Sequence, residues 1–225
     1  MKKGKLIVVE GACDGIGKTT QYKMLCDHLK EDGISVVNHH FPSYGTSEGA
    51  LVERYLKGEF GEVSKLSPYF VNSLYAVDRA VTWNTNLGKL YDDENTIVLD
   101  RYTTSSLIYQ SALIDDVDEK KNFIDYVSDF EYNKIGIKKP DNVIFLSAPF
   151  ELVTKLRMDR KENEGITSDI HESDLNFMKK VYDNALFVAN YLSWDIIECS
   201  NNGRMRDILD IHNDIYKLVK NKEKR

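Results

Sequence analysis

In the run EGACDGIGKTTQ (10–21), Gly15, Gly17, Lys18 and Thr19 are the parts from which a phosphate cradle is built. Such a cradle needs successive backbone N–H groups turned inward, a helix N-terminus behind them and one lysine. Glycine is required where φ is positive or where a side chain would strike the phosphate. The common pattern is a glycine, four free positions and then Gly-Lys-Ser/Thr. Counted back from Gly17-Lys18-Thr19, that first glycine belongs at residue 12, which is alanine, and Gly11 stands one position early. The first glycine mainly shapes the exit from the preceding strand, so one extra residue at Ala12-Cys13 can be absorbed there. The alternative is a tight turn with an exposed lysine. The phosphate reading is favoured because a buried strand precedes the loop and a helix follows it. Lys18 then reaches the transferring phosphate, and Thr19 ligates magnesium through its hydroxyl.

These residues need elements to hold them. KLIVVE, starting at Lys5, is a short β-branched run and reads as a buried strand. From Lys18 to Lys30 apolar residues recur at Tyr22, Leu25, Cys26 and Leu29, a helical spacing, and Gly33 suits the stop. Further strands are expected at SVVNHHF, TIVLD (96–100), NVIFLS (142–147) and WDIIECS (194–200). Helices are expected over 47–57, 67–92, 103–114 and 119–131, with helix again after the last two strands. Strands alternating with helices imply an α/β fold around a five-stranded parallel sheet. Ligands of open parallel sheets bind beyond the carboxyl ends of the strands. Glu10 with the glycine loop, Phe41-Pro42 and Asp100-Arg101 all fall at such ends.

The 225 residues, 42% hydrophobic, suffice for one core, and no repeat or linker divides them, so a single domain over 1–225 is expected. A net charge of -6 argues against general affinity for nucleic acid or an anionic membrane. Cys13, Cys26 and Cys199 give neither a zinc spacing nor a disulfide framework, which suits a reducing cytoplasm. The basic start MKKGKLIVVEG has only four apolar residues before Glu10, too few for a signal peptide, and no later run approaches a membrane span. None of the five histidines shows convergent metal spacing, and all five read as structural or solvent-facing, with one reservation for His171 given below.

The chain resembles the thymidylate kinase family, P-loop nucleoside monophosphate kinases that convert dTMP to dTDP with ATP. The resemblance is carried by EGACDGIGKTTQ (10–21), FPSYG (41–45), YLKGEFG (55–61), SLYAVDRA (73–80), DRYTTSSLIYQ (100–110), KKPDNVIFL (138–146) and SDIHESDLNF (168–177). It implies Mg2+ as cofactor, a homodimer and a small mobile lid at about 157–174. For ATP it points to Gly11, Asp14, Gly15, Ile16, Gly17, Lys18, Thr19, Thr20 and Arg157. Counted back from Lys18, Asp14 falls in register with the family's loop carboxylate, used for the sugar 3′-hydroxyl and near the metal; a helix N-cap is the rival role. Asp100 is expected to act through magnesium-bound water, and Arg101 to hold the acceptor phosphate.

Phe41, Pro42 and Tyr44 form the acceptor wall by the same resemblance, with Ser43 where many relatives carry arginine. Tyr75 and Arg79, four apart on one helical face, match an aromatic that stacks on thymine and an arginine that donates to its edge. Such a pair alone is more often core plus surface. Tyr109 matches the aromatic that crowds the 2′ position, with Ser105 and Gln110 as polar neighbours. Asp169 and His171 fall where relatives approach the nucleotide. Gly15 stands where some relatives carry a loop arginine, so the lid residues Arg157 and Arg160 are the candidates for charge over the transferred group. No general base is needed, because the acceptor phosphate is already anionic.

Two rivals stand beside this reading. One is another nucleoside monophosphate or deoxynucleoside kinase, which a substrate panel separates. The other is a non-catalytic P-loop module. A GTPase is disfavoured, since Asn133-Lys134 continues to Ile135 and Gly136 without the guanine-reading aspartate.

Overall fold

The computed structural model describes residues 4–11, 15–164 and 175–223, without side chains for 64, 159–164 and 223. Its centre is a sheet of five parallel strands in the order β2-β3-β1-β4-β5. These are β1 (Lys5–Gly11), β2 (Val36–His40), β3 (Thr96–Asp100), β4 (Asn142–Ser147) and β5 (Asp195–Glu198). Every residue of β3 is buried, as is all of β1 beyond Lys5, which is why both read as unbroken apolar runs rather than alternating ones. The edge strand β2 is only half-buried and carries polar Asn38, His39 and His40.

The chain leaves β1 through the glycine loop into α1 (Lys18–Glu31), whose buried face is Lys18, Gln21, Tyr22, Leu25, Cys26 and Leu29. β2 leads to α2 (Ala50–Leu56) and to α3 (Pro68–Thr82). A π-type segment, Trp83–Leu87, carries α3 into α4 (Gly88–Asp92), so the expected helix over 67–92 is continuous but wider in its middle. The expected helix over 103–114 divides into α5 (Thr103–Tyr109) and a 3-10 turn, Ser111–Leu113. α6 (Val117–Ser128) starts at the N-cap Asp116, whose side chain accepts from Asp118 and Glu119, and runs on through Asp129–Ile135. α7 (Phe150–Glu164) follows β4, and α8 (Leu175–Tyr191) precedes β5. A small antiparallel ladder, β6 (Ser200–Asn201) with β7 (Arg204–Met205), comes between β5 and α9 (Ile208–Glu223), where helix alone was expected.

The sheet separates two apolar layers. Ile7 and Val9 of β1 pack with α1, α5, α6 and α8, while Leu6 and Val8 pack with Trp83, Leu87 and Tyr91 on the other face. Strand order reverses around β1, whose neighbours are β3 and β4. Register sets Val9 beside Asp100 and Glu10 beside Phe145. The N–H of Arg101 donates to the Val9 carbonyl and that of Phe41 to the Asp100 carbonyl, which carries the alignment past the strand ends. Glu10, Phe41, Asp100 and Arg101 are thereby gathered at one edge, where such sheets open a crevice.

Candidate active site

The loop is built from glycines that no other residue could replace without strain. Gly15 and Gly17 have φ of 100° and 89°. A Cβ on Gly15 would come within 3.2 Å of the Arg157 Cβ and 3.3 Å of the Val153 carbonyl oxygen, so α7 lies directly against the loop. The N-cap of α1 is Gly17 rather than Asp14, and it offers no side-chain oxygen to the first helical N–H groups. Those groups and the positive end of the helix face the crevice, a standing anion site. Ile16 is in the core at 2% exposure, so only its backbone can serve a ligand. Thr19 and Thr20 are exposed, and Thr19 lies on the cavity wall.

A cavity of about 300 Å³ opens in front of Lys18 and Thr19. Phe41, Pro42 and Tyr44 wall it after β2, with Phe41 and Pro42 joined by a cis peptide bond. Tyr75 and Arg79 reach it from α3, Asp100 and Arg101 from the end of β3, and Ser105, Tyr109 and Gln110 from α5. The Gln110 Oε1 is buried without a partner among the described residues, an acceptor left open on this wall. Twelve of the residues expected from the sequence therefore meet around one space. Asp14, Asp169 and His171 lie outside the described residues, as does the Arg160 side chain.

Charge is concentrated at the head of the cavity. The Lys18 ammonium is buried and paired with Asp100 Oδ1. Burial and the Arg101 guanidinium push the lysine down from its ordinary pKa, against the pull of Asp100 and Glu10. Burial would raise the Asp100 carboxyl, but the His40 hydrogen bond, the Lys18 ammonium and the Arg101 guanidinium outweigh it and hold the group well below the usual carboxylate range. His40 Nδ1 stands 3.3 Å from Asp100 Oδ2.

Arg101 has φ 67° directly after the strand, the left-handed region that non-glycine residues rarely take. That turn sends its side chain along the crevice, where Nη1 lies 3.4 Å from Ser105 Oγ and 3.6 Å from Glu10 Oε1. The guanidinium also lies over the Tyr109 ring at 5.5 Å. The side chain is only 14% exposed, so this is not a surface ion pair. Glu10 is completely buried, and its Oε2 accepts from Thr104 Oγ1 at 2.8 Å and Ser105 Oγ at 2.6 Å.

Arg79 departs from the simple expectation of an arginine reaching toward a ligand. Its Nε donates to Glu131 Oε2 at 2.7 Å and its Nη2 to Oε1 at 2.6 Å, with further contacts from Nη2 to Ser106 and Asn72. Only Nη1 makes no hydrogen bond among the described residues, and it is the donor left for the cavity. Glu131 is also held by Thr103 Oγ1 at 2.8 Å. Ser43 turns away from the cavity, its N–H donating to the buried Asp78 carboxylate and its hydroxyl lying 3.0 Å from His39 Nε2. It contributes nothing to the acceptor wall.

Sequence reasoning passed over His40, Ser106, Glu131 and, as a wall residue, Tyr102. His40 is solvent-facing as read, and it also lies on the cavity wall. Its position one residue before Phe41, at a strand's carboxyl end, was the available signal. Glu131 had none, being 52 residues from its partner. His28 and His212 are structural as expected, with Nδ1 and Nε2 2.9 Å apart between α1 and α9.

A family model described as Thymidylate kinase matches residues 9–210. The thymidylate kinase of Plasmodium falciparum (isolate 3D7) is 31% identical over 97% of this chain and 90% of its own length. That of Mycobacterium tuberculosis (strain H37Rv) is 31% identical over 78% of this chain and 81% of its own. In fold, the solved thymidylate kinase of Candida albicans is similar with a TM-score of 0.74 at 24% identity, covering 98% of this chain and 93% of that one.

Proposed function

The chain belongs to the thymidylate kinase family, and on that premise we propose that it transfers the terminal phosphoryl group of ATP to the phosphate of dTMP, giving dTDP and ADP. The observation that carries this reading is one cavity whose wall holds Lys18 and Thr19 at a helix N-terminus, Arg101 beyond β3, and Tyr75, Arg79 and Gln110 beyond them. Phosphate chemistry and base recognition thus share a single space.

ATP phosphates sit on the N–H groups of residues 15–20, with Lys18 moving from Asp100 to the transferring group. Arg101 and the Tyr44 hydroxyl hold the acceptor phosphate. Tyr75 stacks on thymine, while Arg79 Nη1 and Gln110 face its polar edge. Tyr109 crowds the 2′ position of the sugar. The acceptor oxygen is anionic, so catalysis is alignment and charge stabilisation. Arg157, already packed against Gly15, is the first candidate for the charge contributed by the lid at about 157–174; Arg160, Asp14, Asp169 and His171 keep the roles expected of them.

The residues present suit Mg2+. The Asp100 carboxyl is held ionised and shares the cavity wall with Thr19, and no group of three acid, imidazole or thiol side chains placed to hold a metal ion occurs among the described residues. Mg2+ takes one or two protein oxygens and completes its shell from phosphates and water. Thr19 and Asp14 would hold it, with Asp100 acting through bound water, and the ion would neutralise charge on the phosphate oxygens.

A homodimer fits Phe70, Val77 and Val81, exposed apolar residues of α3, with Tyr126 of α6. α5 offers no such apolar face, since Leu107 and Ile108 are buried in the core. No helix among the described residues is long and apolar enough to cross a membrane. Two buried free thiols, Cys26 and Cys199, suit a reducing cytoplasm.

The decisive assay measures ADP formation from ATP with and without dTMP, followed by a panel of nucleoside monophosphates and deoxynucleosides. Turnover that depends on dTMP and is highest with it supports the proposal. Equal rates with and without dTMP, or a stronger substrate elsewhere in the panel, would replace it.

A further inference from the structure

Glu10 stands where stability alone gives no reason for a charge. It follows Leu6, Ile7, Val8 and Val9 on the central strand β1, and it is completely buried. A buried ion pair is often no more stabilising than well-packed apolar side chains of the same volume. The carboxylate is nevertheless partnered on both oxygens. Its Oε1 accepts from the Gly11 N–H at 3.0 Å and faces Arg101 Nη1 at 3.6 Å. Its Oε2 accepts from Thr104 Oγ1 and Ser105 Oγ. One buried group thereby ties β1 to the start of α5 and to the residue that leaves β3.

The Ser105 hydroxyl sets the direction of these bonds. It gives its proton to Glu10 at 2.6 Å, which leaves a lone pair to accept from Arg101 Nη1 at 3.4 Å. Nη1 is thus held from two sides, by the Glu10 carboxylate and by the serine that Glu10 orients. The guanidinium lies over the Tyr109 ring at 5.5 Å, which sets its plane. An unanchored arginine side chain carries considerable rotamer entropy, and a phosphate that orders it must offset that loss. A guanidinium already fixed in plane presents its fork to phosphate at a lower cost.

We propose that Glu10 is a positioning residue for the acceptor phosphate: through Arg101 and Ser105 it holds the guanidinium in the plane in which that phosphate is received. This inference rests on the assignment of Arg101 to the dTMP phosphate made above. Glu10 is not on the cavity wall, so it acts only through these neighbours. Two effects of opposite sign meet in it. Its negative charge repels phosphate, whereas its anchoring of Arg101 favours phosphate. The charge is already offset by three hydrogen-bond donors and the guanidinium, so the anchor prevails.

The test compares Glu10→Gln, Thr104→Val, Arg101→Ala and the double variant Glu10→Gln/Arg101→Ala in the full chain. Calorimetric affinities are measured for dTMP, for thymidine, which lacks the phosphate, and for ATP, together with thermal melting. Glutamine keeps the side-chain length and can still bond both hydroxyls, but it sets no charge against the guanidinium. Expected for Glu10→Gln is about tenfold weaker dTMP affinity, the scale of one hydrogen bond to a charged group. Affinities for thymidine and ATP stay within about twofold, the scatter of sites that do not interact. Thr104→Val removes one donor to Oε2 and weakens dTMP by about threefold. In the Arg101→Ala background, Glu10→Gln adds no further loss, because the two residues act as one unit. Unchanged or tighter dTMP binding in Glu10→Gln overturns the proposal. An equal loss for thymidine overturns it too, since Glu10 would then support the cavity as a whole, as does a loss that persists without Arg101. Should Glu10→Gln not fold, wild-type dTMP affinity in Thr104→Val overturns the proposal by itself. Arg101→Ala is the control: if it binds dTMP normally, the assignment of Arg101 fails; if it alone is impaired, only the role of Glu10 fails.

Discussion

At the scale of single residues, the cavity depends on side chains whose charge is already committed. Lys18 is held by Asp100, and Arg79 gives two of its three nitrogens to Glu131. Lys18→Ala should cut kcat by orders of magnitude while the fold survives, because the lysine acts on charge that grows in the transition state. Initial rates together with a circular-dichroism melt check this, and near-normal turnover in a folded variant refutes the loop's role. Arg79 is a harder target. Removing it strands the buried Glu131 carboxylate, and breaking such a pair costs about 3–5 kcal/mol of stability. The milder Glu131→Gln loosens the guanidinium without deleting it. It should raise the dTMP KM several-fold and leave the ATP KM unchanged. Equal changes in both would remove Arg79 from the base site.

At the scale of elements, the glycine loop and α7 form one unit, because α7 lies so close to Gly15 that a Cβ there would be in tight contact with Arg157 and Val153. Gly15→Ala places a Cβ 3.2 Å from that of Arg157 at a φ of 100°, which strains the loop backbone and tightens its contact with α7. Backbone strain of this kind costs on the order of 1–3 kcal/mol. The expected result is a raised ATP KM with the dTMP KM little altered, read from two substrate titrations. Arg157 tests the other half of the contact. Arg157→Ala should lower kcat strongly while ATP affinity in the absence of dTMP changes little. Arg157→Lys should restore only part of the rate, since a point charge cannot donate in a planar fork. If both variants keep the wild-type kcat, the charge over the transferred group comes from elsewhere.

At the scale of the whole molecule, α1 and α9 close the fold through a histidine pair. His212 is 5% exposed, its Nε2 lies 2.9 Å from His28 Nδ1, and its own Nδ1 has no partner among the described residues. Tyr216 stacks on His28 at 3.7 Å and bonds Asp32, which Lys220 also meets at 2.7 Å. Burial, and then the His28 charge, push the His212 pKa below that of an ordinary histidine. A lowered folded-state pKa means that the unfolded chain binds the proton more readily. Stability from this pair is therefore present above about pH 6.5 and is lost as pH falls below it. Urea unfolding of the wild type from pH 8 to pH 5 should show its midpoint dropping below that value. His212→Phe should flatten the dependence, and an unchanged slope would place the acid sensitivity elsewhere.

What the sequence determined by itself was local and contiguous. Strand runs such as TIVLD, the helical spacing of Tyr22, Leu25, Cys26 and Leu29, and the run from Gly15 to Thr19 each specify geometry over a few residues, where backbone preference and periodicity act directly. The strand ends carrying Glu10, Phe41, Asp100 and Arg101 were legible for the same reason, since a parallel sheet brings its carboxyl ends to one edge. Tertiary structure decided which partner each charge takes. Glu131 meets Arg79 across 52 residues of chain, and Ser43 turns to Asp78 rather than to the cavity. His40 becomes part of the site only because β2 pairs in register with β3 and sets it opposite Asp100. A buried charge is assigned its partner by the packing that excludes water around it, and no spacing along the chain encodes that exclusion.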